Sequence, residues 1–390
     1  MLRAEPADGR RTARLEHADR GARGTRVPAR RRHRLPVEPA HRRSRPRRRR
    51  RTRRRAVTRL RPRTAVLATL VLLAVLVVAV VLGAADLGWQ RVLGEIWAQL
   101  TGGMSPLSER EAAIVWQLRV PRVLLAALVG AALAVAGATF QGVFRNPLAD
   151  PYLLGSSAGA GMAATLVVVL APAATGWVQP AAFAGALGGV WLSWLLGRSA
   201  GSGTATLLLA GVAVGAFLAA VQTFAQQLNT ETIRQVYTWM LGGFAVSGWH
   251  EVLTALPYIA LAALVLCVVA RPLDVLALGD AEATSLGMRP GLIRAVVLAA
   301  ASLATAAAVS VSGLIGFVGI VVPHLVRLLA GGAHRVLLPL SLAGGAVFLV
   351  VADQVARTVL PGELPLGVVT AFTGAPFFVA VLRSSRGKAT

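Results

Sequence analysis

The feature that most constrains this chain is an uncharged run from Pro151 to Gly197. A helix of about 20 residues crosses the roughly 30 Å hydrocarbon core of a bilayer, so this run is long enough for two spans. The stretch APAATGWVQP (171–180), with proline near each end, marks the break between them. The dyad alternation of a membrane β-barrel is absent from the sequence, so the spans are predicted to be helices.

Similar apolar runs recur along the chain, which is 55% hydrophobic and only 15% charged. A soluble protein of 390 residues would carry more charge. We therefore predict an all-α, polytopic membrane protein with ten transmembrane helices. The eighth span is the weakest because it contains Pro323, His324 and Arg327. The ten spans are expected at 65–85, 123–143, two within 151–197, 199–230, 252–270, 293–312, 314–330, 336–352 and 366–382.

Residues 1–63 are predicted to be a disordered, Arg-rich extension that precedes the ten-helix domain at 64–390. The extension holds 25 arginines and five acidic residues, so it carries most of the net charge of +24. Three interpretations stay open: a nucleic-acid-binding tail, an arm that contacts anionic lipid, and a translation start placed too far upstream. The third is favoured because the first apolar run begins cleanly at Ala65. We expect no nucleic-acid partner and a dispensable arm.

The arginines predict which loops face the cytoplasm. With the N-terminus inside, both termini and the segment LDVLALGDAEATSLGM (273–288) are cytoplasmic. The inner connections then carry Arg145, Arg198, Arg271, Arg289, Arg294, Arg327 and Arg335. The first outer connection departs from the rule, because it contains Arg91, Arg110, Arg119 and Arg122.

Motifs for catalysis are weak. The pattern GSSAG (155–159) matches the nucleophile elbow of serine hydrolases, but Ser157 would open a membrane helix instead of following a strand. The only lysine is Lys388, so a Walker A motif is impossible and the chain cannot hydrolyse ATP by that route. The three histidines of the body, His250, His324 and His334, lack metal-ligand spacing. We expect neither an enzyme nor a metal site.

Two further patterns concern packing and charge. Asp353 and Arg357 stand at i and i+4, which fits either a local ion pair or a functional role. Small residues at four-residue spacing predict helices that pack closely. These glycine pairs are Gly155 and Gly159, Gly185 and Gly189, and Gly211 and Gly215.

Several segments, in order and spacing, resemble one family. They are LRVPR (118–122), GAALAVAGATFQGVFRNPLADPYLLGSSAGAG (130–161), WMLGGFAVSGW (239–249), the segment 273–288, SGLIGFVGIVVPHLVRLL (312–329) and ADQVARTVLPGELPLGVVTAFTGAPFF (352–378). The chain from about Ala65 to Arg383 resembles the FecCD-type permeases of bacterial ABC importers, which take up iron–siderophore complexes, haem and cobalamin.

The resemblance implies a permease of the bacterial cytoplasmic membrane, surrounded by lipid, that acts as a homodimer or with a similar second permease. Two cytoplasmic ATPase subunits would use ATP and Mg²⁺, an external binding protein would deliver substrate, and this chain would bind no cofactor. Iron–siderophore is the first expected substrate, with haem and cobalamin behind it. The rival is an ion-coupled secondary transporter, which would bury acids near the membrane midplane. Here the acids cluster in loops and at helix ends, so the importer is favoured.

The resemblance also implies roles for particular residues. Residues 273–288 become coupling helices that contact the ATPase, with Gly279 at the turn, Asp280 as a possible helix cap and Gly287 at the end. Leu276, Leu278 and Leu286 would form the apolar face. The coupling residues are Leu278, Gly279, Asp280, Ala281, Ser285, Leu286 and Gly287. The residues that dock the binding protein are Arg119, Arg122 and Arg357. The substrate pathway is assigned to Gln222, Thr223 and Gln226.

Overall fold

The computed structural model describes residues 60–83, 85–201, 203–245, 247–360 and 362–386. Residues 1–59 of the Arg-rich extension lie outside this range, so the three interpretations of that arm stay predictions. Within the described range the secondary structure is helical, with no strand. The strand–turn–helix context that a serine nucleophile at Ser157 would need is therefore missing from the described residues.

Fifteen α-helices are present in the described residues, and short π-helical or 3₁₀ segments connect some of them. A π-helical turn covers Ile114–Arg119, and 3₁₀ turns cover Pro151–Leu154, Thr175–Trp177 and Thr230–Thr232. The helices are α1 (Pro62–Val81), α2 (Trp89–Thr101), α3 (Glu109–Ala113), α4 (Val120–Val143), α5 (Ser156–Leu170), α6 (Val178–Ala200), α7 (Thr204–Leu228), α8 (Ile233–Met240), α9 (Trp249–Val268), α10 (Ala270–Leu276), α11 (Asp280–Ser285), α12 (Pro290–Ser312), α13 (Val318–Ala330), α14 (His334–Thr358) and α15 (Leu366–Arg386).

Seven helical segments of the described chain are long and apolar enough to cross a membrane. They contain α1, α4, α6, α7, α9, α12 and α14, and three shorter apolar helices lie at α5, α13 and α15. The second segment begins at Glu109, not at Val123 as predicted, because α3, the π-helical turn and α4 are continuous. Pro121, which lacks a backbone N–H, lies just after the π-helical turn, in the first turn of α4.

Helix α4 lies at the centre of the bundle, packed against α9, α12, α13 and α14. Most of its side chains are alanine, glycine or valine, and they are buried on every side. A Cβ atom added to Gly137 would stand 2.0 Å from the carbonyl oxygen of Gly319, and one added to Gly130 would stand 2.2 Å from that of Gly345. Apolar side chains gain little by leaving lipid, so such close backbone packing stabilises the bundle instead.

The glycine pairs predicted from spacing fall mainly on the contact between α5 and α6. A Cβ atom on Gly159 would meet the carbonyl oxygen of Gly185 at 2.1 Å, and one on Gly189 would meet that of Gly155 at 2.4 Å. Close packing is therefore confirmed for these pairs. Gly215 is an exception, because an added Cβ atom there would meet nothing within 4 Å.

Candidate functional site

The segment predicted to couple to an ATPase folds as a helical hairpin. Helices α10 and α11 are joined through Gly279, whose φ is 146°, and the second helix is closed by Gly287, whose φ is 77°. L-residues rarely adopt either conformation, so glycine is required at both ends of α11. The N–H of Gly287 donates to the carbonyl of Thr284 at 2.9 Å, and that of Met288 donates to Ala283 at 3.0 Å.

Asp280 does not cap α11, which corrects the prediction for this residue. It is the first residue of the helix, Gly279 is the N-cap, and no side chain accepts a capping hydrogen bond. The Asp280 carboxylate instead binds two guanidinium groups, Nη2 of Arg145 at 3.2 Å and Nη2 of Arg294 at 2.9 Å. It thereby ties the hairpin to the turn after α4 and to the start of α12.

Arg145 adopts an unusual backbone conformation beside the hairpin. Its φ is 50°, a left-handed value that costs a residue with a side chain roughly 1–2 kcal/mol. In this conformation its Nη2 also donates to the carbonyl oxygen of Leu276, the last residue of α10, at 2.8 Å. The strained turn after α4 therefore holds both helices of the hairpin with one side chain.

A second tie joins the hairpin to α14. The carboxylate of Asp274 on α10 accepts the backbone N–H of His334 at 2.7 Å and lies 2.8 Å from its Nδ1. Burial acts to raise the pKa of Asp274, but the hydrogen bonds from His334 and the charges of His334 and Arg335 outweigh it and lower that pKa below its ordinary value. The ionised carboxylate thus occupies the N-terminus of a 25-residue helix, where negative charge is favoured.

The outward face of the hairpin carries two exposed leucines among polar residues. Leu278 and Leu286 are 67% and 64% exposed, and Ala281 and Ser285 are also exposed. Leu276 was predicted to share this face, but it is buried in the bundle. The surface that could receive a partner is therefore smaller than predicted, with Leu278 and Leu286 at its centre.

At the opposite end of the bundle, Arg122 stands between two acids. Its Nη2 lies 2.9 Å from Asp353, which is almost fully buried on α14, and its Nη1 lies 2.8 Å from Glu363, whose side chain is 48% exposed. Arg357 completes the cluster, with its Nε 3.1 Å from Asp353. The i to i+4 ion pair that the sequence allowed is thus present. Arg122 and Arg357 are themselves mostly buried, so only the Glu363 side of this cluster is open.

Arg119 lies elsewhere. It is 5% exposed, and its Nη1 donates to the carbonyl oxygens of Val80 and Val81 at 3.1 and 3.2 Å, while Nη2 donates to that of Ala85. These are carbonyls at and beyond the last turn of α1, which no later turn of helix satisfies. The guanidinium is used within the chain, so the structure does not place Arg119 on the surface where docking was predicted.

A cavity of about 740 Å³ opens beside this cluster, and sequence reasoning missed it. Arg122, Asp353 and Glu363 line one wall, and Glu231 and Arg234 from the segment around α8 line another. The polar residues between α7 and α9 could have indicated part of this cavity, but the sequence does not show that they lie beside α14. The cavity therefore adds Arg234, an exposed guanidinium, to the charged outer face.

The residues assigned to the pathway all lie near the end of α7 but face different surroundings. Gln222 is 6% exposed, and its Nε2 lies 3.0 Å from the sulfur of Met240. Gln226 is half-buried one turn later, whereas Thr223 is exposed on another face. Their surroundings differ and nothing tests a common role, so the pathway assignment stays a prediction.

The described residues form a helical bundle of apolar segments with a folded hairpin at one end and a charged cavity at the other, the architecture of a polytopic membrane protein. The chain belongs to the FecCD transport family, which it matches over residues 70–384. It is 45% identical over 282 residues to the cobalamin import system permease protein BtuC of Halobacterium salinarum, covering 72% of this chain and 76% of that protein. It is 42% identical over 299 residues to the vitamin B12 import system permease protein BtuC of Shigella boydii, covering 75% and 90%.

Among solved structures, the chain resembles one described as an inward-facing conformation of a metal-chelate type ABC transporter. The TM-score is 0.73 at 28% identity, over 83% of this chain and 100% of that one. The fold is also shared with PsaBC from Streptococcus pneumoniae, with a TM-score of 0.53 at 15% identity over 70% and 94% of the two chains. The expected membership of the FecCD-type permeases is confirmed.

Proposed function

We propose that this chain is the permease subunit of an ATP-driven importer in the bacterial cytoplasmic membrane, working as a pair of permeases with two ATPase subunits and an external binding protein. The observation that carries the proposal is the hairpin of α10 and α11, which presents Leu278 and Leu286 to solvent while ion pairs hold it to three other elements. Exposed leucines can bind an apolar surface of a partner, and the ion pairs can transmit the movement of that partner to the bundle. ATP and Mg²⁺ would be used by that partner.

The proposed topology has ten spans, the seven long segments together with α5, α13 and α15. An even number of spans puts both termini on one side. The arginine distribution supports the cytoplasm as that side, because the connections that carry Arg145 and Arg289 lie at the hairpin end of the bundle. The outer cavity then faces the binding protein.

For the substrate we propose a cobalamin-type metal chelate. Support comes from relatives above 40% identity that are named as cobalamin or vitamin B12 permeases. The iron–siderophore substrate expected from the sequence rests only on its frequency in the family and stays untested, as does haem. A strain that lacks its own importer should regain uptake of labelled cobalamin when it expresses this chain with its ATPase and binding protein. Uptake of labelled ferric siderophore but not cobalamin would contradict the substrate while leaving the importer intact.

We further propose that the binding protein docks through Arg122, with an acidic side chain replacing Glu363. Asp353 accepts from Nε and Nη2 of Arg122, whereas the half-exposed Glu363 accepts from Nη1 at 2.8 Å and from Nη2 at 3.1 Å. The Glu363 side chain is 48% exposed, so an acid of the partner can reach the same guanidinium edge and replace it. The Glu363→Gln variant is therefore expected to bind the binding protein up to about fivefold more tightly at low salt.

The matched change removes the receiving group. Arg122→Gln is expected to weaken docking about tenfold or more, because a hydrogen bond to a charged group contributes roughly 1.5–3 kcal/mol. Arg110→Gln, on the same outer connection but outside the cavity, serves as the control. Affinity can be measured by surface plasmon resonance on the complex in nanodiscs. Unchanged affinity in both Arg122→Gln and Glu363→Gln would contradict docking at this cluster, whereas a loss in Arg122→Gln alone would refute only the exchange with Glu363.

A further inference from the structure

A second cavity lies at the hairpin end of the bundle, apart from the outer cavity and from the exposed Leu278 and Leu286. It measures about 350 Å³ and lies between the end of α6 and the starts of α7 and α12. Its walls combine two arginines, Arg198 and Arg294, with the apolar side chains of Trp194, Leu207 and Leu298. A cavity that is basic at one side and apolar at the other fits an amphiphilic anion.

The two arginines have unused hydrogen-bonding capacity. Arg294 donates through Nη2 to Asp280, but its Nε is enclosed and has no hydrogen-bond partner in the described part of the chain. Arg198 stacks on the ring of Trp194 at 4.7 Å, and no carboxylate of the described residues forms an ion pair with it. Stacking leaves the edge of a guanidinium free to donate to an oxyanion.

The charge balance around the cavity is positive. Asp280 is the acid in contact with Arg294, and it is shared with Arg145, so one carboxylate serves two guanidinium groups. Arg198 adds a third positive charge at the cavity itself. A phosphodiester at this position would reduce the excess of positive charge and offer acceptors to both cavity arginines.

The surroundings of the cavity are those of a lipid-facing crevice. Trp191, Leu195 and Leu292, on the helices that form it, are 58%, 40% and 59% exposed. The arginine rule places this end of the bundle at the cytoplasmic leaflet, and basic pockets between helices on that side favour anionic head groups. We propose that this cavity binds the phosphate of an anionic phospholipid, with Arg198 and Arg294 as its donors and Trp194 against its glycerol and acyl part.

Lipid retention tests the proposal. The full chain is reconstituted in nanodiscs of phosphatidylcholine with a minor fraction of phosphatidylglycerol, then extracted, and bound lipids are counted by native mass spectrometry. The unaltered protein is expected to retain phosphatidylglycerol in preference. Arg198→Gln and Arg294→Gln should each reduce that preference several-fold, and the double variant should abolish it. The control Arg289→Gln removes an exposed charge at the start of α12, outside the cavity, and should leave retention unchanged.

Other outcomes would overturn the assignment. Equal retention in the double variant, or an equal loss in Arg289→Gln, would show general surface attraction and no site. Displacement of the lipid by millimolar inorganic phosphate would identify a free phosphate site instead. Arg198→Gln breaks no ion pair among the described residues, so it keeps the test decisive even if Arg294→Gln unfolds, which thermal melting of each variant would reveal.

Discussion

Replacing Gly137 with alanine is expected to prevent stable assembly of the bundle. The added methyl group would stand 2.0 Å from the carbonyl oxygen of Gly319 and 2.4 Å from its Cα. Both atoms are backbone, so no rotamer change can relieve the clash, and α4 and α13 must move apart. Overpacking of this kind costs about 1–3 kcal/mol or more. Because α4 also contacts α12 and α14, the separation would disturb the whole core.

Gly188→Ala on α6 is the matched control for Gly137→Ala. Gly188 is also inside a helix, but an added Cβ atom would meet nothing within 4 Å. Alanine should therefore be tolerated there, or stabilise the helix by about 0.5–1 kcal/mol. Thermal unfolding followed by tryptophan fluorescence, together with the monodisperse fraction after extraction, measures both variants. If Gly137→Ala unfolds at the same temperature as Gly188→Ala, backbone contact at α4 does not hold the bundle together.

The membrane class and most span positions could be predicted from the sequence because each is a local property. An uncharged run of sufficient length must satisfy its backbone internally, and a helix does so without any partner. The weak eighth segment is also helical, as α13, despite Pro323, whose neighbours Val321 and Val322 are buried in the bundle. The predicted start of the second span was wrong. The residues around Glu109 are polar and typical of a loop, but they form a helix that continues through a π-helical turn into α4.

The side-chain roles were harder to predict because their partners are distant in the chain. Arg122 and Glu363 are 241 residues apart, and Arg145 and Asp280 are 135 apart. The sequence identified Arg119 and Arg122 equally as positive charges on an outer connection. Only the fold distinguishes them. Arg119 is buried and donates to carbonyl oxygens at the end of α1, whereas Arg122 lines a cavity. Asp280 likewise has the residue type of a cap, but one position in register decides between a cap and an ion pair.

Removing the ion pairs that hold the hairpin of α10 and α11 to the bundle is expected to uncouple transport from ATP hydrolysis while leaving the ATPase bound. Asp274→Ala removes the acceptor for both nitrogens of His334 that hold α10 to α14, and Asp280→Ala releases Arg145 and Arg294. The exposed surface at Leu278 and Leu286 is unchanged in both variants. The ATPase should still dock. Its movement would shift the hairpin alone, because the hairpin would no longer be held to α4, α12 and α14.

This separation of binding from coupling gives the experiment its controls. In liposomes, stimulation of ATP hydrolysis by the loaded binding protein should fall about tenfold in Asp274→Ala and Asp280→Ala, since coupling energies are typically 1–3 kcal/mol. Glu282→Ala removes an exposed acid of α11 and should retain stimulation, because no ion pair of Glu282 occurs among the described residues. Asp274→Asn keeps an oxygen for the His334 N–H and should recover part of the loss.

The opposite pattern is expected when the contact surface itself is changed. Leu278→Asp and Leu286→Asp place a charge where an apolar partner surface would cover it, so the ATPase should no longer co-purify with the permease. Gly287→Val should combine both defects, because a β-branched residue resists a φ of 77° and the end of α11 must rearrange. If Asp274→Ala and Asp280→Ala keep full stimulation while the leucine variants lose the ATPase, the hairpin is a docking platform whose ion pairs carry no movement. If the leucine variants also keep the ATPase, the partner binds elsewhere and the proposed coupling surface is wrong.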